Sequence, residues 1–190
     1  MANVNHSTLT DPFLHEPKGV AAASSGDVYV ADGSGSGNHR PLSRYCGAYI
    51  DFDAASPATH TTTTSDTVLA EDFEDGELNG FTVDHNAGSY TRFKYTGTEN
   101  IEAFISFTVF AKQASGSEKD VQFALFKDGT EIDGARGIRT QNNDDWGSIT
   151  VNGFCAMSTN SYIDVRIKAD ASCTISLASA FMAIKGVAVA

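Results

Sequence analysis

The sequence predicts an all-β domain, a sandwich or barrel, preceded by an extended N-terminal arm. Three observations carry this. Apolar and polar residues alternate with period two in several segments after Cys46. No segment sustains the 3.6-residue period of an amphipathic helix. The alternating segments are short and are separated by clusters of Gly, Asn, Asp and Ser, as in sandwiches and barrels.

Residues 1–43 form the arm. They carry few large apolar residues beyond Leu9, Phe13, Leu14, Val20, Val28, Tyr29 and Val30, and they hold Pro12, Pro17 and Pro41. Proline favours extended backbone and glycine permits sharp turns, so the arm is read as open chain. It has one short strand at 28–31, followed by the tract Gly33-Ser34-Gly35-Ser36-Gly37. Such a segment buries too little surface to fold alone and is expected to become ordered on a partner.

Residues 44–190 form the domain. Ile105, Phe107 and Val109 alternate with Ser106 and Thr108 in a segment over 101–111, with Phe104 and Phe110 on the opposite face. Val121, Phe123 and Leu125 repeat the pattern, and Asp128-Gly129 closes it as a hairpin turn. Ile163, Val165 and Ile167 alternate with Asp164, Arg166 and Lys168, the cleanest one-faced strand. Further strands are expected at 46–52, 80–84, 90–95, 146–151, 173–178 and 181–189. The threonine-rich run 59–65 is read as an exposed loop, and 71–77, with five carboxylates in seven residues, as a solvated acidic turn. That turn lacks the ligand spacing of a calcium loop.

Composition narrows the function. Hydrophobic residues make up 41% and charged residues 19%, which is globular, and twelve Phe with six Tyr suit strands. A net charge of −11 disfavours nucleic acid, whose binding needs basic side chains against phosphate. The apolar stretches fall short of the ~18 residues of a membrane span, and no secretory signal is visible. The chain is therefore expected to be made in the cytoplasm without membrane attachment. Cys46, Cys155 and Cys173 fit neither a disulfide framework nor a zinc site and are read as free thiols, with a Cys155–Cys173 bridge as the alternative.

A search for chemistry finds no constellation. His6, His15, His39, His60 and His85 lie in the arm or in expected loops, with no paired metal-ligand spacing. The Gly-Ser-Gly-Ser-Gly tract matches a nucleophile elbow only in its letters, without the strand-to-helix setting. The reading is of a non-enzyme, with no catalytic residue, no metal and no cofactor.

The block Asp11-Pro12-Phe13-Leu14-His15-Glu16-Pro17-Lys18-Gly19-Val20, with Val28-Tyr29-Val30-Ala31-Asp32-Gly33-Ser34-Gly35-Ser36-Gly37, resembles an N-terminal block of structural proteins of tailed phages, particularly marine ones. The chain departs from that block at Asn38-His39-Arg40, where an aromatic commonly follows. The remainder is similar to the tumour-necrosis-factor-like antiparallel jelly roll. The cues are Tyr95-Thr96-Gly97 before the long strand, then 121–127 running into Asp128-Gly129-Thr130, and the apolar segment 181–189.

The resemblance implies a virion structural protein, foremost a capsid decoration (cement) protein whose jelly roll forms a homotrimer. Phe104, Phe107, Phe110, Phe123 and Phe126 would then line the trimer interface or the core. The arm, through Phe13, Leu14, His15, Glu16, Pro17, Lys18, Gly19, Val20, Val28, Tyr29 and Val30, would anchor on the major capsid protein. The alternative is a receptor- or glycan-binding tip of a tail fibre, in which Tyr90, Trp146 and Tyr162 contact a host surface glycan. The expected location is the virion, on the capsid surface or a tail appendage.

Overall fold

The structure is a computed structural model that describes residues 27–31, 37–41, 43–52, 55–86, 89–143 and 145–189. The chain divides into two units between Leu42 and Ser43. In the first unit, β1 (Asp27–Ala31) pairs antiparallel with β2 (Gly37–Pro41), with Asp27 opposite Pro41 and Ala31 opposite Gly37. The strand expected at 28–31 is present, but it belongs to a hairpin rather than to open chain. Its partner, Gly-Asn-His-Arg-Pro, has no apolar alternation; the ladder is made by the backbone, which pairs whatever the side chains.

The second unit holds β3 (Arg44–Asp51), β4 (Ala58–Thr62), β5 (Thr67–Val68), β6 (Glu74–Asn79), β7 (Phe81–Asn86), β8 (Tyr90–Tyr95) and β9 (Ile101–Gln113). It continues with β10 (Lys119–Lys127), β11 (Thr130–Gln141), β12 (Gly147–Met157), β13 (Tyr162–Ala169) and β14 (Cys173–Ala188). They form two antiparallel sheets. The front sheet runs β12-β9-β14-β3-β6, with β4 on β14; the back sheet runs β11-β10-β13-β8-β7, with β5 on β13.

Eight strands carry the topology: β3, then β8 to β14. Taken in that order, the front sheet reads first, eighth, third, sixth, and the back sheet second, seventh, fourth, fifth. This is the double Greek key of a jelly roll. The all-β antiparallel jelly roll predicted for the domain is the fold observed.

Period-two alternation builds the core. Ile101, Ala103, Ile105, Phe107, Val109 and Ala111 of β9 are buried, as are Val121, Phe123 and Leu125 of β10 and Ile163, Val165 and Ile167 of β13. Phe107 and Phe123 meet between the sheets with ring centroids 6.0 Å apart. Burying such a side chain contributes about 1.5–3 kcal/mol. Lys127 pairs with Thr130 across Asp128 and Gly129, whose φ values are +49° and +83°. Two successive positive φ angles make the two-residue turn whose twist suits a hairpin.

Several expectations are corrected. Part of the threonine run is not a loop: β4 pairs with the first half of β14, and the fully buried Thr62 hydroxyl donates to the Cys173 carbonyl at 3.1 Å. Threonine is β-branched and suits a ladder as well as a loop. The acidic turn is partly β6, an edge strand on β3 whose Glu74, Asp75 and Glu77 stay exposed; charge on an edge discourages further pairing. At the bulge in this pair a Cβ on Gly76 would lie 2.6 Å from the Gly47 carbonyl oxygen, so only glycine fits. The segments 173–178 and 181–189 belong to one strand, bent by a bulge between Leu177 and Ser179. β11 has no counterpart among the expected strands. His60 and His85 stand in β4 and β7 rather than in loops, and His39 stands in β2 of the arm.

Candidate functional site

The outer face of the front sheet follows from register. β9 directs Glu102, Phe104, Ser106, Thr108, Phe110 and Lys112 away from the core. Across β12, β9, β14 and β3, one row reads Phe154, Phe104, Lys185, Tyr45. The next reads Asn152, Ser106, Ala183, Gly47, and the third Thr150, Thr108, Phe181, Tyr49. Two aromatic rows thus flank a central row of small residues.

These rings face solvent: Phe154 is 75% exposed and Phe181 51%, with Phe104, Phe110, Tyr45 and Tyr49 also exposed. Phe104 and Phe154 are neighbours at 4.9 Å between centroids. Trp146 stacks on Phe110 at 5.4 Å, and the Lys112 Nζ lies 5.0 Å from the Trp146 ring. Two hollows indent the face. One, of about 440 Å³, lies among Tyr45, Gly47, Phe104, Ala183 and Lys185; the other, of about 290 Å³, lies among Tyr49, Thr108, Phe110 and Phe181. A contiguous exposed aromatic face of this kind marks an interaction surface.

The outer face of the back sheet is built differently. Arg136 donates to Asp66 at 2.9 and 3.1 Å and to Glu131 at 2.8 and 2.7 Å, and Lys168 lies 3.7 Å from Asp66. Arg166 donates to Asp164 at 2.9 Å with its guanidinium 4.1 Å from the Phe126 ring. Arg136 and Arg166 both stand beside Ala124, whose small side chain leaves them room. Burial raises the Asp66 carboxyl, but hydrogen bonds and charge from Arg136, helped by Lys168, outweigh it and hold the group below its ordinary value. The Arg136 hydrogen bond does the same for Glu131.

A third cluster joins the sheets. Arg44 of β3 grips Glu99 with two 2.9 Å hydrogen bonds, and the buried Tyr95 donates to the same carboxylate at 3.2 Å. Burial raises Glu99, but its backbone hydrogen bond, Arg44 and Tyr95 hold it low.

The residues anticipated for the trimer interface separate. Phe107 and Phe123 belong to the core, and Phe126 is buried under Arg166. Phe104 and Phe110 belong to the exposed front face. Of the anticipated glycan contacts, Tyr90 and Tyr162 come together around Arg92, each ring centroid 4.2 Å from its guanidinium carbon. Trp146 instead stacks on the front sheet with Phe110. Phe13, Leu14, His15, Glu16, Pro17, Lys18, Gly19 and Val20 lie outside the described residues. Val28, Tyr29 and Val30 stand in β1, with Tyr29 exposed.

Sequence reasoning missed Phe154, Phe181, Arg92 and Arg136. Phe154 falls beyond the strand expected at 146–151. Phe181 could have been found by extending the alternation with Met182.

The thiols are free. Cys155 stands opposite Ala103, which in turn faces Gly186 near the end of β14, whereas Cys173 begins that strand. The two are therefore too far apart to bridge. Burial, with Asp75 adding to it, pushes Cys46 up to about 12, and burial pushes Cys155 to about 11. Both stay protonated at neutral pH. Among the described residues no group of three His, Cys, Asp or Glu side chains converges to hold a metal ion.

A model of the NHL repeat matches residues 14–40. That stretch overlaps the blocks 11–20 and 28–37 likened above to tailed-phage structural proteins, and the repeat model is at odds with that likeness. No curated protein matches the chain.

Among solved structures, the domain is similar to the Eiger TNF of S. frugiperda (8% identity, TM-score 0.46, 77% of this chain and 94% of the other). It is also similar to murine APRIL (11%, TM-score 0.45, 75% and 99%) and to the PRD1 vertex protein P5 (8%, TM-score 0.48, 80% and 100%). The strand order of this chain by itself defines an antiparallel jelly-roll sandwich.

Proposed function

We propose that this chain is a non-enzymatic structural protein of a phage particle, foremost a capsid decoration protein acting as a homotrimer. The carrying observation is the outer face of the front sheet, where Phe104, Phe154, Phe181, Tyr45 and Tyr49 stand in solvent around two hollows. A single copy leaves this surface open. Three copies packed face to face around an axis would remove the rings from water, as in closed symmetric assemblies. Residues 1–43 would anchor the trimer on the major capsid protein, a role supported by the resemblance of the 11–37 block to phage structural proteins.

Sedimentation analysis of the full chain tests the trimer. A trimer is expected for the unmodified protein and a monomer for Phe154→Asp with Phe181→Asp; an unmodified protein that stays monomeric at high concentration ends the proposal. The arm is tested by binding to empty capsids, which removal of residues 1–43 should abolish. A receptor-binding tail tip is the second reading, favoured by the Tyr90 and Tyr162 pair. Copy number per particle separates the two: hundreds indicate decoration, a handful of trimers a tip.

A further inference from the structure

On the back sheet, β8 turns Tyr90, Arg92 and Lys94 outward and sends Thr91, Phe93 and Tyr95 into the core. Tyr162 of β13 lies opposite Lys94 on the same outer side. The Arg92 guanidinium is held between two rings, 4.2 Å from the Tyr90 centroid and 4.2 Å from that of Tyr162. Each contact is a cation–π interaction, and together they fix the long side chain in one place.

Arg92 differs from the other arginines whose side chains are described. Arg44 reaches Glu99 at 2.9 Å, Arg136 reaches Asp66 at 2.9 Å and Glu131 at 2.7 Å, Arg139 reaches Asp145 at 3.8 Å, and Arg166 reaches Asp164 at 2.9 Å. Among the described residues, no carboxylate lies within ion-pair distance of Arg92. Its Nε–H is buried without an acceptor. Asp84 is its cross-strand neighbour on β7 yet makes no ion pair with it. In a chain of net charge −11, a clamped guanidinium with no acid partner among the described residues stands out.

We infer that Tyr90, Arg92 and Tyr162 form a recognition site for a sugar acid, a uronic or sialic acid residue of a surface glycan. With two rings against the guanidinium and its Nε–H buried, the Nη edge remains, and its two parallel N–H groups match a carboxylate. The rings have already restricted the Arg92 rotamer, so little further ordering is needed on binding. Tyrosine offers an apolar body and a hydroxyl tip, which suits a hydroxylated ring. Asp84 and Asp128 flank the site, Asp128 accepting a hydrogen bond from the Tyr162 backbone N–H at 2.9 Å. Their repulsion grows with the number of negative charges on a ligand, so it opposes an acidic peptide more than a ligand with one carboxylate. The site is on the back sheet, away from the front aromatic face, and the inference depends on neither trimer nor capsid binding.

The test is a titration of the full chain with glucuronic acid and with N-acetylneuraminic acid, followed by NMR at the Tyr90 and Tyr162 ring protons and the Arg92 Nε–H. Saturable shifts are expected with at least one acid, and none with glucose, the neutral counterpart of glucuronic acid. Arg92→Gln and Arg92→Lys should each weaken binding about tenfold or more, because a charged hydrogen-bonded pair is lost or reduced to a point charge. The inference is overturned if neither acid gives saturable shifts, if glucose shifts the same resonances equally, or if Arg92→Gln binds like the parent. Binding of a polyglutamate peptide in place of both acids would overturn it too. If Arg92→Gln fails to fold, the comparison of glucuronic acid with glucose on the parent protein decides.

Discussion

The two outer faces of the sandwich share one core yet end their side chains differently. On the front sheet the outward positions are occupied by Phe104, Phe110, Phe154, Phe181, Tyr45 and Tyr49, exposed to water. On the back sheet the corresponding layer is Arg136, Arg166, Lys168, Asp66, Glu131 and Asp164, tied by ion pairs over Ala124 and Phe126. That layer is satisfied within one copy, since each of these six charges finds an opposite one. The front face is not, because aromatic surface leaves water only by meeting another surface. One side of the molecule thus leaves aromatic surface in water, and the other pairs its charges at the surface. Arg92 is the exception on the charged side.

The largest effect tests what both faces rest on. Phe107→Ala removes the ring that meets Phe123 between the sheets, and chemical denaturation should show a loss of about 3–5 kcal/mol. A loss under about 1 kcal/mol would mean that the sheets are not packed through this pair.

Next in size is the back face. Arg136→Ala leaves Asp66 and Glu131 without their main partner and should cost about 1–2 kcal/mol at neutral pH, discounted for partial exposure. The same variant has a pH signature. Asp66, Glu131 and Glu99 titrate below their ordinary values in the folded state, so their stabilisation is complete above the unfolded value near ~4. It is lost as pH falls through the lower folded values. Melting temperature should therefore drop as pH falls below about 4, and Arg136→Ala should flatten that slope. An unchanged slope would show that the network does not hold these carboxylates low.

The smallest effect on folding belongs to the front face. Phe154→Ser changes an exposed ring, so at concentrations where the protein is monomeric its unfolding free energy should move by no more than about 0.5 kcal/mol. A larger loss would place Phe154 in the fold of the single copy and not in its surface.

Alternation was legible where one face is buried and the other polar. β13, with Ile163, Val165 and Ile167 inward, was read directly, as were the middle of β9 and the Asp128-Gly129 turn. β4 and β6 were not. Thr59, Thr61 and Thr62 suit a loop or a ladder equally, and the carboxylates of 71–77 form a strand only because β3 offers its edge. β11 is hidden because Gly137 and Arg139 interrupt its inward side and the register shift opposite 131–136 breaks its period of two.

The same limit governs the candidate surfaces. Period two places Phe104 and Phe110 opposite Phe107 within one strand. It cannot say that Phe154 stands beside Phe104, or that Thr108 faces Phe181, since those neighbours come from segments far apart in the chain. Nor could spacing pair Tyr90 with Tyr162 around Arg92. The strand-rich class, the inward-facing residues of β9, β10 and β13, and the acidic charge are legible in the chain alone, because alternation and composition are local properties. Which outward residues share a surface follows from the fold, because the jelly roll's strand order sets distant strands side by side and register then aligns their side chains.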